Sequence, residues 1–281
     1  MTVTRLRRCL GRGKRRGVKI TIIKDEGRSK MKKENKAIDA RLFVLIPTES
    51  HNAIIICRRN SKKVGVFQWD MLTNEITVSQ WLNGRIYEYF SDISPDGEHF
   101  IYSANKNGDG YTVISKAPWI KAISFWWDGG FRGGGFFIDN KRYLLNNGKV
   151  GYHEFIDKSL IGIKSGEFAQ KNQPLNAVYQ TLFTDYSFCA RLLKNGWLLK
   201  EKENKTYIFT KSIDENFLLE KIVYSYPHRY QKKGKGTFWE THKLITNDTV
   251  EEKEDWEWCE YRYDNIYYAE KGCLYEMSDI K

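Results

Sequence analysis

"SDISPDGEHFIYSAN" (residues 91–105) is the stretch on which the fold turns. In its Ser-Pro-Asp-Gly, Pro95 sets φ at about −65° in the second turn position. Asp96 accepts backbone hydrogen bonds, and Gly97 takes a positive φ without a Cβ clash. The apolar run that follows makes the turn a corner between antiparallel strands. Looser echoes of the corner stand in "FIDNKRYLLN" (137–146), "SIDENFLLE" (212–220) and "YRYDNIYYAEKGCLYEM" (261–277). Asp96, Asp139, Asp214 and Asp264 are 43, 75 and 50 residues apart. Those gaps suit one, about two, and one blade of roughly 40–50 residues in a β-propeller.

The text around the corner agrees. From Arg41 onward the chain reads as short runs rich in Ile, Val, Phe, Tyr and Trp, bounded by turn residues: "RLFVLIP" (41–47), "NAIIICRR" (52–59), "KKVGVFQWD" (62–70), "EITVSQW" (75–81) and "RIYEYF" (85–90). These are strand signals. "LLNNGKV" (144–150) and "LLKNGWLL" (192–199) carry Asn-Gly between apolar runs, which predicts a hairpin at each. A helix competes only over 173–193, and the Asn195-Gly196 pair favours the hairpin there. The fold class expected is all-β and propeller-like, with about five or six blades in the 244 residues after the basic head; a β-sandwich is the alternative.

Charge divides the chain into two parts. Residues 1–37 hold 14 Lys+Arg against 3 Asp+Glu and account for the whole net charge of +11; the rest balances at 32 against 32. A neutral body supplies no long-range field for nucleic acid or an anionic membrane, so such a role rests on the head alone. Residues 1–37 are expected to be a basic, disordered extension, with Met31 as a possible true start; 38–281 form one domain. Five cysteines without C-x-x-C or metal-type spacing read as reduced thiols, hence a cytoplasmic protein. The longest aliphatic runs fall far short of a membrane span.

The corner "SPDGEHFIYSA", together with "FQWD" (67–70) and "WEWCEYRYDNIYYAEKGCLYEM" (256–277), resembles the Ser-Pro-Asp-Gly propeller repeat of the Tol-system periplasmic protein and, more weakly, the WD-repeat class. "WLNGRIYE" (81–88) and "WWDGGFRGGGFFIDN" (126–140) are similar to a group of bacterial proteins with no assigned activity. The resemblance implies a fold and lends no catalytic residue.

Candidate chemistry is sparse. "NKNGDG" (105–110) opens like a calcium loop, but Lys116 stands where an EF-hand needs its bidentate Glu, so no metal is expected. The five histidines are dispersed, and no Ser sits in G-x-S-x-G. Catalytic residues and cofactors are therefore expected to be none. Polar convergence is conceivable at Arg85 and Glu88 on one strand. In the glycine-rich "WWDGGFRGGGFF", Trp126 or Trp127 could stack on a planar or sugar ring while Arg132 holds an anionic group. The competing reading gives those glycines to close backbone approach. The expectation is a non-catalytic binding or interaction module whose partner is another protein. The alternatives are an enzyme acting on a carbohydrate or small molecule from the propeller face, and nucleic-acid contact through the basic arm.

Overall fold

A computed structural model describes residues 4–10, 16–22, 40–60, 63–128, 133–146, 153–164, 186–225 and 238–278. They form a five-bladed β-propeller. Near the amino terminus, β1 (Thr4–Leu10) pairs antiparallel with β2 (Arg16–Ile22). The first sheet is β3 (Arg41–Leu45), β4 (Asn52–Asn60), β5 (Lys63–Asp70) and β6 (Glu75–Leu82), in that order. The second runs through β7 (Arg85–Ile93), β8 (His99–Lys106), β9 (Asp109–Lys116) and β10 (Ala122–Trp127).

The third sheet is short: β11 (Gly135–Phe137) pairs antiparallel with β12 (Arg142–Leu145), and β12 pairs parallel with β13 (Ile161–Gly162). Helix α1 (Tyr186–Lys194) then precedes the fourth sheet of β14 (Leu198–Glu203), β15 (Thr206–Ser212), β16 (Leu218–Tyr224), β17 (Trp239–Ile245) and β18 (Val250–Lys253). The fifth sheet holds β19 (Trp256–Arg262), β20 (Asn265–Glu270) and β21 (Cys273–Met277). It is extended by β2, which pairs Arg16, Gly17 and Val18 with Glu276, Tyr275 and Leu274. Two stretches of the basic head thus appear as strands, while 11–15 and 23–39 lie outside the described residues.

Burial explains why these sheets form a ring and not a sandwich. A sandwich strand buries one face and wets the other, so its burial alternates. In β4, Ala53, Ile54, Ile55, Ile56 and Cys57 are all at most 2% exposed, and His99 to Ala104 of β8 and Ile266 to Ala269 of β20 are buried without a break. Both faces of these three middle strands are covered, as a blade between two neighbours requires. Outer strands such as β14 and β18 are largely exposed. β19 packs on β3, β3 on β7 and β7 on β11. Helix α1 touches β7, β11 and β14, and β17 returns to β19. The circuit is closed.

Three of the four aspartyl corners share a carboxylate that accepts the N–H two residues on. Between β7 and β8, the Gly97 N–H donates to the Ser94 carbonyl at 2.9 Å, Gly97 has φ 78°, and the Glu98 N–H donates to Asp96 Oδ1. Asp139 between β11 and β12 accepts from the N–H groups of Lys141 and Arg142. Asp214 between β15 and β16 accepts from those of Asn216 and Phe217 in the same pattern. Asp264 differs: Tyr263 and Asp264, both at positive φ, make a two-residue turn from β19 to β20.

Two sequence readings meet corrections or limits here. Asn195-Gly196 is not a hairpin turn. It ends α1, with the Gly196 N–H on the Leu193 carbonyl and the Trp197 N–H on the Leu192 carbonyl, and Gly196 at φ 84°. That is a left-handed helix cap of the Schellman type. The hairpin expected at Asn147-Gly148 falls outside the described residues. "NKNGDG" does form a tight hairpin, Asn107 and Gly108 linking β8 to β9 at positive φ.

Candidate functional site

The axis of a propeller is a common place for a ligand, so what fills it matters first. Here α1 fills much of it. Arg191 is 4% exposed, and its guanidinium lies over the rings of Phe43 and Phe188 at 5.0 and 5.5 Å. Its Nη1 donates to the carbonyls of Glu88 and Ser91 on β7. One turn on, Lys194 Nζ donates to Asp92 Oδ2 at 2.6 Å, and the same oxygen accepts the Phe137 N–H. On the opposite side Glu260 accepts from Trp197 Nε1 at 2.9 Å and from Lys211 Nζ at 2.8 Å. Beside it Lys221 Nζ lies 3.4 Å from Glu240 and donates to the Cys259 carbonyl, while His242 Nε2 is 3.5 Å from Glu240.

These carboxylates are matched by cations within the protein, as buried charges must be. Burial would push the Glu240 carboxyl up, but Lys221 and His242 outweigh it and hold it below the usual range. Burial pushes the His242 imidazole down, more than Glu240 pulls it up. The thiol of Cys259 is driven well above its ordinary value by burial, and that of Cys57 up to about 12, so neither is a nucleophile near neutral pH. A cavity of about 10 Å³ among Phe43, Arg191, Asn195, Lys221, Trp258 and Glu260 has room for one water molecule. It holds no substrate-sized ligand.

The outer edge of the second sheet is a different environment. β10 is an edge strand with Trp126 pointing into the molecule and Phe125 and Trp127 out of it. Trp127 is 57% exposed, and its ring meets Phe125 edge-on at 4.8 Å and Tyr111 of β9 at 6.3 Å. Tyr111 stacks on Phe125 at 5.3 Å. A single antiparallel bridge, Phe125 to Phe155, adds the Phe155 ring, 46% exposed and stacked 6.1 Å from Phe125. Four aromatic rings therefore form one continuous, partly wet surface.

The residues singled out from sequence separate. Trp126 is 1% exposed, packed edge-to-face on Tyr143 between the second and third sheets, so it has no free face for a ligand. Trp127 belongs to the aromatic surface. Arg85 stacks its guanidinium over Tyr87, and Glu88 pairs with Arg58 at 3.5 Å. Both sit on β7, three strand spacings (about 14 Å) from β10. Arg132 lies outside the described residues. The neighbouring glycines serve close approach. Gly134 has φ 82°, and a Cβ there would sit 1.8 Å from the Phe90 carbonyl oxygen. Sequence reasoning missed Phe155, held by one bridge with no strand pattern, and the ionic cluster on the axis, whose charges read as solvent-facing.

No family model matches the chain, and no curated protein matches it. Among solved structures it is similar to lmo1340 of Listeria monocytogenes EGD-e, with 8% identity, TM-score 0.31, and coverage of 84% of this chain and 62% of that one. It is also similar to a structure from a study of two prolyl endopeptidases, with 12% identity, TM-score 0.29, and coverage of 88% and 36%. The WD40 domain of SCAP from fission yeast matches at 10% identity and TM-score 0.22, over 94% and 70%. The chain spans less than two thirds of the length of the first two, and no residue here takes a role from any of the three.

Proposed function

We propose that the protein is a non-catalytic binding module and that another protein docks on the surface of Tyr111, Phe125, Trp127 and Phe155. One observation carries the reading: a contiguous aromatic cluster at a sheet edge, with Trp127 more than half exposed. Exposed apolar patches mark interaction sites, and Trp, Tyr and Phe are enriched at the cores of interfaces. The cavity beside Arg191, with room for a single water molecule, is in keeping with that reading. A cytoplasmic setting is part of the proposal, supported by Cys57, Cys259 and Cys273 being buried and outside any disulfide. No helix among the described residues is long and apolar enough to cross a membrane. Kinship with the bacterial Ser-Pro-Asp-Gly propellers is likewise proposed, supported by the matching corners at Asp139 and Asp214.

The test is affinity purification at native abundance with the wild type and with Trp127→Ala/Phe155→Ser. A protein recovered stoichiometrically by the wild type, and lost from a double variant of unchanged unfolding midpoint, is expected. Equal recovery by both, or nothing stoichiometric with either, overturns the reading. A second reading, the carbohydrate-acting one, is favoured by the open face of Trp127, since such rings stack on sugars. It predicts quenching of Trp127 emission by saccharides without capture of any protein.

A further inference from the structure

The corner that decides the fold carries more than a turn. Asp96, Glu98 and His99 each bring a ligand-type atom to one place, all within 4.8 Å of one another. A cluster of turn carboxylates is ordinarily just solvated, and here Glu98 is exposed. His99 breaks that account. It is 6% exposed, seated at the start of β8 beside the Phe137 ring, and both of its ring nitrogens are buried without a hydrogen-bond partner among the described residues. Buried imidazole nitrogens find a donor, an acceptor, a water or an ion.

We propose that Asp96, Glu98 and His99 bind a divalent metal ion of zinc-like character, which pins this corner of the propeller. One imidazole nitrogen and two carboxylate oxygens form a three-ligand set of the kind zinc accepts, leaving further positions to water. Nitrogen in the set disfavours magnesium and calcium, which take oxygen. Three ligands about 2.0–2.2 Å from one ion lie at most about 4.4 Å apart. The 4.8 Å bound exceeds that limit by about 0.4 Å, and Glu98, the exposed member of the set, is the ligand with room to adjust. Asp96 Oδ1 accepts from the Ser94 hydroxyl and from the Glu98 N–H, and Oδ2 remains for the ion.

The position explains what an ion would do there. The Glu49 N–H donates to the Pro95 carbonyl, the Asp96 N–H to Asn140 Oδ1, and Asn140 Nδ2 to Glu49. The corner thus ties the β3–β4 connection of the first sheet to the β11–β12 corner of the third. An ion held in it stabilises the junction of three blades by mass action. Lys116, across from His99 in the β8–β9 register, and Asp157 are the other charged groups close enough to act on the imidazole.

Titrate the full chain, freed of metal with a chelator, with zinc chloride by calorimetry and thermal unfolding, alongside Glu98→Gln and His99→Gln. Expected are one saturable site, a midpoint that rises with zinc, and at least tenfold weaker binding in each variant. Glu98→Gln, exposed and isosteric, keeps the zinc-free midpoint and so separates ligand loss from misfolding. Absence of saturable binding, zinc binding unchanged in Glu98→Gln, or displacement of zinc by equimolar calcium would each overturn the assignment.

Discussion

At the scale of single residues, the axis shows how charge is tolerated inside a β protein. Glu240 is fully buried, and its contribution comes from keeping Lys221 and His242 compensated. Glu240→Ala leaves the Lys221 ammonium buried without its carboxylate and is expected to cost about 3–5 kcal/mol in chemical denaturation. Replacing both partners, Lys221→Met with Glu240→Leu, should cost less than that single change. The same cluster sets a pH dependence. His242 titrates below its ordinary 6.5 when folded, so on acidification the unfolded chain takes up the proton first. Glu240 titrates below its ordinary 4.5, so its contribution is present above that value and lost as pH falls through its lowered folded value. The thermal midpoint is expected to fall as pH drops below about 6.5, and His242→Gln should flatten the upper part of that slope. None of this was legible in the sequence. "LLEKIVY" and "WETHKLI" look like strands with one wet face, and only the neighbouring sheet shows that the charges are enclosed.

At the scale of elements, positive φ separates two glycines that look alike in the text. Gly196 at φ 84° meets nothing nearer than Lys211 Cε at 3.9 Å, so Gly196→Ala carries only the left-handed penalty of roughly 1 kcal/mol. Gly134 adds a backbone collision with Phe90, so Gly134→Ala should cost several-fold more, near the roughly 4 kcal/mol level that marks exceptional sites. Urea denaturation of the two variants side by side checks the ranking. The strands and the Ser-Pro-Asp-Gly corner were readable because a period of two and turn chemistry are local properties. The helix was not. Asn-Gly serves a hairpin and a helix cap equally well, and the buried Arg191 interrupts the apolar face that Phe188, Cys189 and Leu192 would otherwise announce.

At the scale of the molecule, the corners made a ring of about five or six blades legible, because each sheet needs a neighbour on both faces, and the structure has five. How the ring closes was hidden, since the alternating Val18, Ile20 and Ile22 of β2 are a short strand signal set in a stretch otherwise dense in Arg, Lys and Gly. The pairing of β2 with β21 predicts that a chain beginning at Met31 leaves the β21 edge open. It should unfold at a lower temperature than the full chain and scatter more light at equal concentration; equal behaviour would mean the hairpin adds nothing. The aromatic surface on β10 lies on another sheet, so its partner should bind both versions alike. Synthesis gives the β2–β21 pairing a further meaning. A ribosome releases Arg16 long before Glu276 exists, so this strand must wait through nearly the whole of translation for its mate. The dense positive charge of residues 1–37 around it suits the wait, because like-charged nascent arms on a polysome repel one another and do not zip together.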